Sequence, residues 1–207
     1  MVRTNRILRL ALVASMAASA FAAQAITFSN VSIQSPPLST GSSFTTIGNS
    51  ISFFTPNALV GDAVDPLRSG VLQIQFDATN FGGPNMLANE ISVNLAGVTL
   101  GSGTIVFVET VFEIDSNGNE IGAPLGSVTH QFDSSSQPIW STVIQFNRQV
   151  QAIRAKKSFV LSAADTDVTD LAAVAIVNQA IHLVPEPATM TALGLGAVGL
   201  LARRRRK

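Results

Sequence analysis

Asp165-Thr-Asp167-Val-Thr-Asp170 sets three carboxylates within six residues, and this is the chain's best candidate for metal chemistry. Calcium takes about six to eight oxygen ligands, so Asp165, Asp167 and Asp170 on a loop would supply part of a shell. The competing reading is a solvated acidic loop that keeps a sheet edge from pairing. Asp115-Ser-Asn117-Gly-Asn119-Glu120 begins like a calcium loop, but Glu120 stands where glycine is needed and Leu125 where the distal glutamate should be. That segment reads as a hairpin, because Asn117-Gly118 is the strongest short turn signal in the chain. Glu109 and Glu113, read as sharing one strand face, would lie about 13 Å apart. Glycoside hydrolysis needs carboxyl groups about 5 Å or about 6.5–9.5 Å apart, so the two do not form a catalytic pair. His130 and His182 have no partner at metal-ligand spacing. Gly101-Ser102-Gly103 is a turn and not a nucleophile elbow. Gly194-Leu-Gly-Ala-Val-Gly199 fits a dinucleotide fingerprint in letters, yet no strand–turn–helix unit surrounds it. Trp140, beside Pro138, is the obvious aromatic for stacking on a sugar, with core packing as its ordinary role. No catalytic residues and no required cofactor emerge; calcium is the one metal worth considering.

The elements that would position these residues alternate with period two. Leu72, Ile74 and Phe76 fall on one face of 71–77, with Gln73, Gln75 and Asp77 on the other. Ile91–Leu95 repeats the pattern. In 106–114, Val106, Val108, Phe112 and Ile114 form the apolar face, with Glu109 and Glu113 pointing away. Trp140, Ile144 and Phe146 share a face in 140–146. Such alternation marks half-buried antiparallel strands. Less regular strands are expected at 26–33, 44–54, 128–132, 152–161 and 173–184. The last also fits a helical stripe, and a bulge near Asn178-Gln179 would reconcile its two alternating runs as a strand. Turn residues about every ten positions point to an all-β fold, a single antiparallel β-sandwich of jelly-roll type.

Charge and composition narrow the function. The chain holds 13 basic and 13 acidic residues, but Arg3, Arg6, Arg9 and Arg203–Lys207 account for eight of the basic ones. Between residues 26 and 184 only Arg68, Arg148, Arg154, Lys156 and Lys157 remain against 12 acids, a net charge of −7. A body so acidic, with one Trp and no Tyr, is repelled by nucleic acid. The absence of cysteine excludes thiol nucleophiles, disulfides and Cys-ligated metals.

Both ends look like addresses. Residues 1–25 combine a basic start, an apolar stretch from about Leu10 to Ala18, and Ala23-Gln24-Ala25, an A-x-A cleavage site. This predicts a signal peptide handled by the secretory translocon and signal peptidase, leaving Ile26 as the new N-terminus. At the other end, Pro185-Glu186-Pro187 holds the chain extended. Fifteen uncharged residues follow, Ala188–Ala202, then Arg203, Arg204, Arg205, Arg206 and Lys207. As a helix the uncharged run would be about 22 Å long, short of the hydrocarbon core's roughly 30 Å. It suits a transient membrane stop, with arginine stems reaching the headgroups. Positive charge at both ends keeps both termini cytoplasmic and the middle outside.

The tail from Val184 to Lys207 resembles the PEP-CTERM sorting signal. Pro185, Glu186 and Pro187 match its motif, Leu193–Leu201 its hydrophobic stretch, and Arg203–Lys207 its basic end. The resemblance implies recognition by an exosortase, a membrane enzyme of cysteine-transpeptidase type that cuts near Pro-Glu-Pro. It also implies a Gram-negative type of cell that makes exopolysaccharide, and a mature protein at the surface or in an extracellular, biofilm-like matrix. The organisation expected is therefore signal peptide (1–25), β-sandwich (26–183) and sorting signal with an apolar helix (184–207). Three functions are compatible: a non-catalytic surface or matrix protein that meets exopolysaccharide, a carbohydrate-binding module, and a secreted hydrolase. The third lacks any recognisable nucleophile or acid–base set.

Overall fold

The computed structural model describes residues 26–61, 67–81, 86–163, 170–183 and 194–196. Ala25–Leu183 forms one compact unit, and residues 1–24 with 184–207 fall in another. Within the first, two antiparallel sheets face each other. The five-stranded sheet runs β1 (Thr27–Gln34), β5 (Ser69–Thr79), β10 (Ala152–Ser162), β7 (Thr104–Ile114), β8 (Glu120–Phe132). The second runs β2 (Ser43–Ile47), β3 (Ser50–Phe54), β11 (Leu171–Leu183), β6 (Met86–Leu100), β9 (Ile139–Ile144), with the short β4 (Leu59–Val60) also on β11. This is the all-β sandwich that the alternation predicts.

Each sheet lays its apolar face on the other. Leu72, Ile74 and Phe76 are fully buried, as their spacing requires, and the Phe76 ring meets Phe53 from β3 with centroids 5.9 Å apart. Phe107 and Phe159, neighbours on β7 and β10, stack at 4.9 Å. Burying rings of this size supplies the main driving force for joining the layers.

Four expectations change. Residues 44–54 make two strands, β2 and β3, because Gly48, at φ 58°, folds the segment into a hairpin. The bulge in β11 lies at Ala175 rather than at 178–179: pairing with β6 skips from Val174 to Ile176, and the buried positions change from Ala172 and Val174 to Val177, Gln179 and Ile181. The segment is a strand throughout, so its helical stripe has no structural counterpart. In β7 the inward face is the odd one: Ile105, Phe107, Glu109 and Val111 are buried, while Val106, Val108 and Phe112 are half-buried on the outside. Both faces of this segment are apolar, so periodicity could not choose between them. A register shift between Val111 and Glu113 then restores Ile114 to the inside and leaves Glu113 outside, so Glu109 and Glu113 do not share a face. Asp77, expected on the solvent side, does point outward from the core face of β5, but it is covered by Arg154 and Asn30.

The facing of Ile91, Val93 and Leu95 lies outside the described side chains. So do the signal peptide with Ala23 and Ala25, and Pro185–Pro187 with Arg203–Lys207. Of the uncharged tail run, Gly194–Gly196 are described, and they are helical. Among the described residues no helix is long and apolar enough to cross a membrane.

Candidate functional site

The outer face of the five-stranded sheet carries an open cleft of about 430 Å³. Register builds its floor. Gln34, Gln73, Ser158 and Val108 form one row across β1, β5, β10 and β7; Ser32, Gln75, Lys156 and Thr110 form the next. Phe112 and Lys156 stand at one side, with the Lys156 ammonium 5.0 Å from the Phe112 ring centre and 2.6 Å from Glu120 Oε1. Each carboxamide presents both donors and acceptors on a flat group. Three glutamines in adjacent rows, flanked by hydroxyls and one ring, thus offer amide donors and acceptors beside an apolar face. Gln73 and Gln75 were legible as the polar face of β5; their union with Gln34, Ser158 and Thr110 depends on strand order.

Beyond this cleft an ionic cluster closes the sheet's end. Arg154 Nε and Nη2 grip Asp77 at 2.7 and 2.8 Å, and Asn30, held at φ 49° in the irregularity of β1, donates to the same carboxylate at 2.7 Å. The Asp77 hydrogen bonds hold the Arg154 guanidinium above its usual pKa against the opposing effect of burial. Arg148 pairs with Glu113 at 2.7 Å on a more exposed part of the surface.

A second polar group lies between the sheets. Glu109 (0% exposed), Lys157 (2%) and Gln179 (2%) come from β7, β10 and β11. Lys157 is directly opposite Glu109 in the strand register, and its Nζ lies 2.5 Å from Glu109 Oε1. The Gln179 amide nitrogen donates to that same oxygen at 2.6 Å. The Lys157 approach is off the hydrogen-bonding direction, and among the described residues Glu109 Oε2 and Gln179 Oε1 have no donor. Burial pushes the Lys157 ammonium below its usual pKa, with Glu109 opposing the shift. Each unpaired buried polar atom costs about 1–3 kcal/mol, so this cluster is expensive as a purely structural feature.

The residues singled out from sequence are placed as follows. Both oxygens of Asp170 accept hydrogen bonds from Ser102, from its N–H at 2.7 Å and its hydroxyl at 2.5 Å, which ties the Gly101–Gly103 turn to the start of β11. Asp165 and Asp167 lie outside the described residues, and among those described no three potential metal ligands converge. Asp115 spends its carboxylate on its own hairpin: Asn119 and Asn117 N–H groups both donate at 2.8 Å, holding its pKa below the usual carboxylate value. Trp140 is half-buried and packs against the core, the ordinary role expected of it. It stacks on His130 at 4.2 Å and meets Phe107 edge-on at 5.9 Å. His130 is thereby half-buried, and desolvation lowers its pKa. His182 points outward from β11.

The class defined by these features is an acidic, cysteine-free β-sandwich with a polar cleft on one sheet. Residues 183–207 match the PEP-CTERM protein-sorting motif, so the chain carries the signal of an exported, exosortase-processed protein, a kind that is sorted to the cell surface. No curated protein matches the chain in sequence. Several solved structures share a remote likeness. The active domain of tailspike protein 4 from bacteriophage CBA120 is 12% identical with a TM-score of 0.31, covering 78% of this chain and 20% of that one. A carbohydrate-binding module of the β-sandwich superfamily is 8% identical with a TM-score of 0.37, covering 77% and 56%. TmCBM61, solved with β-1,4-galactotriose, is 13% identical with a TM-score of 0.30, covering 78% and 87%. The chain thus spans about a fifth of the tailspike domain and about half of the first module.

Proposed function

We propose that this is a non-catalytic exported sandwich, delivered to the cell surface or the exopolysaccharide matrix after an exosortase-like enzyme removes its tail near Pro185–Pro187. The observation that carries the reading is the sorting motif in residues 183–207. Secretory translocon, signal peptidase and exosortase are the partners in processing; exopolysaccharide is the partner at the destination. Intact mass of the protein recovered from the cell surface or medium tests it. The expected form begins at Ile26 and lacks Arg203–Lys207. A surface form that retains the arginine end would make the tail an anchor and end the sorting model. Deletion of the protein is expected to weaken matrix cohesion, with no turnover of polysaccharide by the purified chain.

The cleft on the outer sheet favours a second reading, a carbohydrate-binding module. Gln73, Gln75 and Gln34 would satisfy sugar hydroxyls, and Phe112 would take an apolar sugar face once Lys156 swings aside. Titration with polysaccharide from the producing cell, monitored by calorimetry, checks it. Removing two amides in Gln73→Ala/Gln75→Ala should weaken binding roughly tenfold, since each net hydrogen bond contributes about 0.5–1.5 kcal/mol. Unchanged affinity in that variant would exclude this face as the binding site.

A further inference from the structure

The arrangement of Glu109, Lys157 and Gln179 points to a self-made covalent cross-link: an amide between Nζ of Lys157 on β10 and Cδ of Gln179 on β11, joining the two sheets. The three parts such a reaction needs are present in one dry place. Lys157 is the nucleophile and the Gln179 carboxamide the electrophile. Glu109 Oε1 touches both nitrogens, at 2.5 Å from Nζ and 2.6 Å from the nitrogen that would leave. The Phe76 ring, 5.6 Å from Nζ, closes one side of the lysine's cage. Burial favours the uncharged amine, the form that attacks. Held in the core on one shared carboxylate oxygen, nucleophile and carboxamide need no encounter from solution, and such positioning can raise a rate by several orders of magnitude.

The step balances. Lys157 passes one proton to Glu109, and neutral Nζ adds to Cδ of Gln179. The Cδ–Nε2 bond then breaks while the carboxyl or the added amine supplies the third hydrogen of the departing ammonia. The products are one Nζ–Cδ amide, one ammonia and a protonated Glu109, with the net charge of the cluster unchanged at zero. No oxidant, cofactor or activated ester takes part. Glu109 acts here as the proton carrier and not as the acceptor, because forming the amide on Glu109 would remove the group that serves both nitrogens. The cross-link would give a chain without cysteine a covalent staple between its layers, with the same restriction on the unfolded chain that a disulfide imposes.

Mass spectrometry of the full protein purified from the exporting cell decides the matter. The intact mass should fall short of the value for its observed termini by one ammonia. Trypsin should no longer cut after Lys157. Because no lysine or arginine lies between 158 and 202, the resulting peptide holds both partners and should show no backbone fragments between Lys157 and Gln179. Glu109→Gln, shown to be folded by circular dichroism, should regain the ammonia and the tryptic cut. A wild-type protein of full mass, cut normally after Lys157, overturns the proposal. So does a deficit that maps to a succinimide at Asn117-Gly118, or loss of water with a link from Lys157 to Glu109. A folded Glu109→Gln protein that is still cross-linked removes Glu109 from the reaction as stated.

Discussion

Asp77 and Glu109 stand on adjacent parts of the same sheet, both acidic and both buried, yet they face opposite ways. Asp77 is on the outer face, where Arg154 binds it through two nitrogens and Asn30 adds a third bond. A fork of this kind aligns two charge-assisted hydrogen bonds. Removing the charge leaves the largely buried guanidinium with Glu120, at 3.5 Å, as its remaining carboxylate, so Asp77→Asn should lower the free energy of unfolding by about 2–4 kcal/mol. Urea denaturation checks this; a change under about 0.5 kcal/mol would place the pair with ordinary surface ion pairs. Glu109 faces the core, against expectation. Its flanking residues are apolar on both sides of β7, so the period alone gave no preference. What places it inside is the cross-strand Lys157 and the cross-sheet Gln179, neither of which is near it in sequence.

Strand elements were largely legible because alternation and turn residues are local signals. Leu72, Ile74 and Phe76 face inward as read, and Asn117-Gly118 makes the β7–β8 hairpin, with Gly118 at φ 80°. A bulge in β11 was legible but its position was not: it falls at Ala175 rather than near Asn178-Gln179, because it depends on pairing with β6, which no local pattern encodes. Turn glycines differ in what they tolerate. A Cβ at Gly118 would meet nothing nearer than Arg154 Nη2 at 3.8 Å, so Gly118→Ala should cost only the left-handed backbone penalty, about 1 kcal/mol. At Gly103 a Cβ would collide with the Leu171 carbonyl, which belongs to a strand and cannot yield. Gly103→Ala should therefore cost more than Gly118→Ala, about 2–4 kcal/mol, through separation of the β6–β7 turn from β11. Thermal melts of the two variants compare them directly; equal losses would refute the packing argument.

At the scale of the whole molecule, the sandwich begins at the predicted processing point. Ile26 is buried, and its backbone N–H reaches Asn49 Oδ1 at 3.3 Å, on the β2–β3 turn. The expected mature N-terminus thus coincides with the first residue of the core, and β11 ends at Leu183, the residue at which the matched sorting motif begins. On the proposed processing, which removes both basic ends, residues 26–184 would carry a net charge of −7, and that self-repulsion favours solubility.

By itself the sequence determined the all-β class, most of the strands, the acidic body and the sorting motif, because each of these is written in neighbouring residues. The tertiary structure alone decided the row of glutamines across β1 and β5, the stacking of Trp140 on His130, and the meeting of Glu109, Lys157 and Gln179. Those depend on strand order and sheet facing, which bring together residues 70 positions apart in the chain. Such pairing is set by the packing of the whole domain and leaves no periodic trace in any one segment.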